Sequence, residues 1–509
     1  MTNANLYTLL ASRFPKDKDA VCLESPDGQI TRYGELETGS ARMAACLRDC
    51  GVMPGDRVVV QIEKSHQAVV LYLACLRMGA IYIPLNTAYT ATELDYFIGD
   101  ARPRVLVCRP EAEGDLQTIA DSHGVSRVLT MDDDGTRGSL LESLDGVIAD
   151  EAVVQCEGTD IAAILYTSGT TGRSKGAMLS HENLASNALC LHKLWGFVPG
   201  DVLLHALPIY HVHGLFVALH CALLNGSKIW FLPKFDLETV LALLPKSTVM
   251  MGVPTFYVRL LGDARFDRAQ CEVMRLFIAG SAPLLTETFN EFEARTGQRI
   301  LERYGMTEAG MITSNPCDPH DGARLAGTVG FALPGVEARV CDANGAEMPR
   351  GEPGTLEIKG PNVFFGYWQN PEKTAAEFRD DGFFITGDVS TMDVDGRISI
   401  VGRAKDLIIS GGFNVYPKEI ETEIDEIEGV IESAVIGIAH PDFGEGVVAV
   451  VVKQGGVTLS DADIIGALKD RLAKFKQPKR VFFVDALPRN AMGKVQKKIL
   501  RETFKGLFC

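Results

Sequence analysis

Short apolar runs alternate with longer amphipathic stretches through most of the chain. The first fifty residues read as a helix, a short extended segment around residues 30–33, and a long helix. Strands are predicted over 57–62, 81–85 and 104–108, with an apolar helix over 67–78 between the first two. A second series follows at 228–232, 249–254 and 276–280. Strands that alternate with helices predict layered α/β sheets. Residues 110–158 are polar and weakly patterned, and are expected at the periphery. From 320 to 400 the pattern changes, because Gly and Pro punctuate short apolar runs such as 335–340 and 354–359. That predicts a β-rich subdomain. The charged step Arg403-Ala404-Lys405-Asp406 follows a strand at 398–401. The expected division is a large N-terminal domain, 1–403, and a small α+β C-terminal domain, 404–509. The smaller domain has strands at 432–438, 447–452 and 480–484.

Composition narrows the classes. A chain of 509 residues should form more than one domain. Its net charge of -16 argues against nucleic acid or an anionic membrane as a partner. Between residues 469 and 505, however, 12 Lys/Arg face 3 Asp/Glu. That run is either a solvated face or a surface for a polyanion. The 12 cysteines form no CxxC pair and no zinc-like Cys/His spacing, so a reduced protein without structural disulfides is expected. No leader-like N-terminus, membrane-length apolar run, prenylation box or peroxisomal tripeptide is visible, so the expected location is cytoplasmic. Nothing in the sequence sets the oligomeric state.

Several stretches carry chemistry. Tyr166-Thr167-Ser168-Gly169-Thr170-Thr171-Gly172-Arg173-Ser174-Lys175-Gly176 follows an apolar run. It precedes Ser180, an expected N-cap with Asn183 three residues on, so it should link a strand to a helix. Its glycines allow close backbone approach, and its hydroxyls and cations suit phosphate oxygens. The spacing is not that of a Walker A loop. Gly280, Ser281 and Ala282 end a strand with small residues, as a tight turn or a close approach to a flat ligand requires. In Glu302-Arg303-Tyr304-Gly305-Met306-Thr307-Glu308, an aromatic ring can stack on a base, and a hydroxyl with a carboxylate can serve Mg²⁺. Asp388, after Thr386-Gly387, either makes an Asx-turn or accepts ribose hydroxyls. Gly411 and Gly412 permit hinge motion or close ligand approach. Lys494 follows a glycine on a basic loop, where it serves solubility or an anionic transition state. His211 and His213 flank Val212 and would share a face on a strand. Packing or one polar contact to substrate is favoured there over a metal, since no third ligand lies nearby.

In this order the stretches resemble the adenylate-forming superfamily over essentially the whole chain, with details similar to its malonyl-CoA synthetases. Tyr166 to Gly176, Tyr304 to Glu308, Thr386 to Asp388, Gly402 to Glu419 and Pro488 to Lys494 carry the resemblance. It implies an AMP-forming ligase using ATP, Mg²⁺ and coenzyme A, in which a carboxylic acid is adenylated and then passed to the thiol. It further implies that Thr167, Ser168, Gly169, Thr170, Thr171, Gly172 and Lys175 hold phosphates, with Arg173 supporting the loop or the acid. Gly280, Ser281, Ala282 and Tyr304 would hold adenine, while Asp388 and Arg403 take ribose. Thr307 would contact the α-phosphate and Glu308 the metal. Lys494 would be the adenylation lysine and Lys405 the hinge. Gly411, Gly412 and Phe413 would border the coenzyme A tunnel, and the basic run would meet its phosphates.

A second carboxylate on the acid needs a buried cation, because an unpaired buried charge is costly. Arg303 is the candidate, with Ser281 and His211 completing the cradle as the resemblance implies. The alternative is that Arg303 pairs with Glu302. Val212 and Met306 would shape the wall near C2 and so decide whether methylmalonate fits. The other functional readings are a ligase for another short or aromatic acid, an enzyme loading a separate carrier protein, and a non-enzymatic nucleotide sensor.

Overall fold

The computed structural model describes residues 3–167, 174–410, 413–469, 471–490 and 493–508. Among them, four sheets form. A six-stranded sheet runs in the order Arg127–Thr130, Val105–Cys108, Arg57–Gln61, Ile81–Pro84, Ile161–Thr167, Lys175–Ser180. A nine-stranded sheet has Val202–His205, Val249–Gly252, Leu276–Ala279 and Leu301–Met306 side by side and parallel. Parallel strands are covered on both faces, which is why these read as continuous apolar runs. The helix His66–Arg77 is buried at every position but Gln67 and belongs to the largest core.

The β-rich subdomain is a four-stranded antiparallel sheet: Glu337–Cys341, Gly354–Lys359, Phe384–Met392 and Ile398–Arg403. The fourth sheet lies beyond residue 403 and is built around the long pair Val430–His440 and Gly444–Lys453. Along the second strand of that pair, Val447, Ala449 and Val451 enter one core while Val448, Val450 and Val452 enter another. Period-two alternation thus buries both faces. No helix among the described residues is long and apolar enough to cross a membrane.

Three expectations change. The segment after Tyr166 does not link a strand to a helix. Lys175–Ser180 is itself a strand, paired antiparallel with Ile161–Thr167 from Ile161↔Ser180 to Thr167↔Lys175. Gly176 permits this, since a Cβ there would lie 2.7 Å from Ile164 Cγ2. Ser180 does cap the helix His181–Leu194, accepting from the Asn183 N–H at 3.1 Å. His211 and His213 do not share a strand: His213 opens a π-helix, His213–Leu219. Finally, Val21–Glu24 is a strand that escapes notice in the sequence and pairs with Lys228–Phe231, two hundred positions on.

Candidate active site

The parallel register places Ala279 opposite Glu302, so the residues beyond this pair, Gly280 on one side and Arg303 on the other, lie together at the carboxyl edge of the sheet. α/β sheets present ligands along this edge. Gly280 therefore adjoins Arg303. A Cβ on Gly280 would sit 2.4 Å from the Arg303 Cζ, so only glycine leaves room for the guanidinium. Ser281 follows with φ 73°, a left-handed backbone that a non-glycine residue rarely holds.

Arg303 is 2% exposed, and its Nε and Nη2 have no hydrogen-bond partner among the described residues. Burial pulls its pKa down to about 9. The pairing with Glu302 does not occur. Neighbours on a strand face opposite sides, and Glu302 instead accepts the Leu284 N–H at 3.1 Å. Burial pushes the Glu302 carboxyl up to about 8. Two imidazoles complete this end of the site. His213 Nδ1 lies 3.2 Å from Ser281 Oγ, and its buried Nε2 has no partner among the described residues. His211 Nδ1 accepts the His213 N–H at 3.3 Å. Burial, then the charges of Arg303 and Lys494, hold His211 down at about 4, so it is neutral near pH 7. Val212 is buried beside them, and Met306 is half-buried.

The other end of the site is anionic. The pairing Asp388↔Arg403 brings Arg403 Nε to 2.6 Å from Asp388 Oδ1. The Tyr304 hydroxyl donates to Asp388 Oδ2 at 2.5 Å, and the Thr386 hydroxyl accepts the Asp388 N–H at 3.1 Å. Thr307 lies in the turn after Leu301–Met306, and Glu308 follows, buried. Tyr367 bridges two carboxylates, its hydroxyl lying 3.0 Å from Glu308 Oε1 and 2.6 Å from Glu377 Oε2. Glu377 pairs with Lys373 at 2.7 Å and Lys175 at 3.5 Å. Among the described residues no cation pairs with Glu308, and burial raises its pKa. A buried carboxylate without a cation fits the role of a divalent-metal ligand.

Lys494 enters from beyond residue 403. A Cβ on the preceding Gly493 would lie 3.3 Å from Thr255 Oγ1, so the loop rests on the large domain. Lys494 keeps solvent access, yet enough protein surrounds its ammonium to lower its pKa to about 8. Both hold in an open cleft. The cause is burial first, then Arg403, opposed by Asp388. Lys405 is exposed in the 3₁₀ turn Ala404–Asp406. Phe413 is exposed and stacks on Phe475 at 4.6 Å. Gly411 and Gly412 lie outside the described residues, as do Ser168, Gly169, Thr170, Thr171, Gly172 and Arg173; of the residues expected to hold phosphate, Thr167 and Lys175 are described.

Contacts thus join Ser281, His213 and His211 next to Arg303, and Tyr304 and Arg403 to Asp388, while the charge of Lys494 acts on His211 and that of Glu308 on Arg403. His213, Tyr367, Glu377 and Lys373 join the site without an assigned role in the sequence. Only His213, two positions from His211, carried a local signal.

The AMP-binding enzyme family matches residues 10–368, and the AMP-binding enzyme C-terminal domain matches residues 419–494. The malonate–CoA ligase of Arabidopsis thaliana is 33% identical, with 94% of this chain and 85% of that protein covered. The feruloyl-CoA synthase of Amycolatopsis sp is 35% identical, with 94% of each covered. ATP-bound MatB from Rhodopseudomonas palustris, 55% identical and covered completely in both chains, superposes with a TM-score of 0.97. The apo form of MatB, at the same identity and coverage, gives 0.85. The present arrangement is thus nearer to the ATP-bound form.

Proposed function

Because the chain belongs to the AMP-binding enzyme family, we propose that it is an AMP-forming acid–thiol ligase whose acid is malonate. One malonate carboxylate attacks the α-phosphorus of ATP and expels pyrophosphate. The thiol of coenzyme A then displaces AMP from the malonyl-adenylate, giving malonyl-CoA. One observation carries the choice of acid: Arg303 is buried, with two guanidinium nitrogens unpartnered beside Gly280. An acid with a neutral tail would leave that charge buried and unpaired, whereas a second carboxylate satisfies it with charge-assisted hydrogen bonds.

The remaining roles follow from charge. With the distal carboxylate on Arg303, the neutral His211 and the Ser281 hydroxyl add hydrogen bonds without excess charge. The reacting carboxylate then points toward Lys494, which is mostly protonated at neutral pH and partly desolvated. A cation there favours the meeting of two anions and the charge that develops at the α-phosphate. Thr307 would contact that phosphate. Tyr304 would stack on adenine against Gly280 and Ala282, Asp388 and Arg403 would take the ribose hydroxyls, and Thr167 and Lys175 the outgoing phosphates. A magnesium ion on Glu308 would neutralise phosphate charge. Val212 and Met306 would wall the space at C2. A methyl group shifts binding by only about 1–3 kcal/mol, so methylmalonate should be accepted to some extent. For the second step the small domain would turn about Lys405, presenting Phe413 and the basic run to coenzyme A.

The test is a panel of acids with ATP and coenzyme A, read by AMP release. Malonate should lead, methylmalonate follow, and acetate and ferulate trail. Ferulate outrunning malonate would overturn the acid assignment. Turnover without coenzyme A but with a carrier protein would overturn the thiol.

A further inference from the structure

Two buried basic residues lie behind the acid pocket and take no part in the steps above. Lys64 follows the strand Arg57–Gln61 of the six-stranded sheet, and His205 ends the strand Val202–His205 of the nine-stranded sheet. Both are more than nine-tenths buried. Lys64 Nζ lies 2.8 Å from His205 Nδ1, 2.9 Å from the His205 carbonyl oxygen and 4.2 Å from the centre of the Phe231 ring. No carboxylate among the described residues acts on it, and burial drives its pKa well below the ordinary lysine value.

The other ring nitrogen of His205 lies 2.9 Å from the carbonyl oxygen of Gly214. A carbonyl only accepts, so Nε2 carries the proton, Nδ1 carries the lone pair, and Lys64 donates to it. The two ends of the contact fix the tautomer between them. Gly214 is the second residue of the π-helix, packed so closely that a Cβ would lie 2.1 Å from the Pro208 carbonyl oxygen. His213, one residue earlier, reaches Ser281 through Nδ1 and His211 through its N–H. A continuous path of contacts therefore runs from the six-stranded sheet to the acid pocket.

We propose that Lys64 and His205 are positioning residues for acid recognition, fixing the first turn of the π-helix so that His211 and His213 stand beside Arg303. The proposal rests on the acid-pocket assignment above. A π-helical turn is rare and competes with the ordinary α-helical turn, which would swing these imidazoles to other directions. The bond from His205 to Gly214 holds the observed turn, and Lys64 holds His205 in the tautomer that makes it. If the pair only tied two sheets together, its loss would lower stability without singling out the acid.

Pyrophosphate release is measured for wild type, Lys64→Met, His205→Leu and His205→Gln, with acid and ATP varied separately. Lys64→Met and His205→Leu should raise KM for malonate about tenfold while changing KM for ATP less than about twofold, as loss of one buried hydrogen bond implies. His205→Gln, whose amide N–H can still reach the Gly214 oxygen, should return KM for malonate to near the wild-type value. Equal rises in both KM values, an unchanged KM for malonate, or a Gln variant no better than Leu would each overturn the proposal. Thermal melts identify any variant that does not fold. Lys64→Met, which leaves the imidazole in place, carries the reading if His205→Leu is lost. Wild type that ignores malonate but turns over another acid would overturn the acid assignment instead, and the same split is then read on that acid.

Discussion

Replacing Arg303 by methionine should move stability and activity in opposite directions. The guanidinium is buried and, among the described residues, has no hydrogen-bonding partner at Nε or Nη2. Its fall from 12.5 to about 9 corresponds to a burden of roughly 5 kcal/mol on the charged form. Methionine keeps much of the aliphatic stem and removes the charge. Exchanging buried ionic groups for apolar ones stabilises proteins by about 1–4 kcal/mol, so the melting temperature should rise. Malonate binding should suffer, because deleting one partner of a buried ion pair costs about 3–5 kcal/mol, or roughly 150- to 5,000-fold in kcat/KM. Differential scanning calorimetry, ATP titration and malonate-dependent AMP release measure the three quantities. ATP affinity should change far less than malonate turnover if Arg303 serves the distal carboxylate as proposed. A variant that melts lower and turns over malonate as well as wild type would refute the argument, for Arg303 would then be a structural group.

Other outcomes follow from the same electrostatics. Lys494→Ala should abolish adenylate formation yet spare thioester formation from supplied malonyl-adenylate; equal loss of both steps would mean a structural role. Because Lys494 is charged below about 8, kcat/KM for adenylation should fall as pH rises through that value, and Lys494→Arg should move the fall upward. Glu302 has a folded pKa of about 8 against an ordinary 4.5, so the stability it lends is present below 4.5 and lost as pH rises toward 8. The gain in melting temperature of Glu302→Gln over wild type should widen across that window, and a constant gap would contradict the assignment. Tyr304→Phe keeps the ring but loses the bond to Asp388. It should raise KM for ATP about three- to tenfold with KM for malonate unchanged, the worth of one hydrogen bond; equal effects on both would place Tyr304 elsewhere.

Much of this was legible in the sequence, and the failures share a cause. The apolar runs at 57–62 and 276–280 and the Gly-punctuated segment after 320 announced sheets, because period and turn residues are local properties. Val21–Glu24 and Lys175–Ser180 were missed because their partners, not their own residues, make them strands. The π-helix at His213 goes with close approaches of Gly214 to Pro208 and His205, which no periodicity of apolar and polar residues announces. In the site, Tyr304, Asp388 and Arg403 could be singled out by residue type, and folding joins them. Tyr367 and Glu377 were not, since they reach Glu308 and Lys175 only through folding. The separation of Glu302 from Arg303 was available from strand alternation alone.

The hairpin formed by Ile161–Thr167 and Lys175–Ser180 has a consequence for how triphosphate is held. Many phosphate sites borrow the field of a helix N-terminus. Here the nearest following helix begins at His181, six residues beyond Lys175, or roughly 20 Å along an extended strand. A helix dipole fades within its first turn, so it contributes nothing at that distance. The charge would then come from side-chain cations, and Lys175 already shares Glu377 with Lys373. If Lys175 holds triphosphate as proposed, the triphosphate would have to win it away from Glu377, and Glu377 would reclaim it as pyrophosphate leaves. Grip and release there would then be set by an exchange of counter-ions rather than by a fixed dipole.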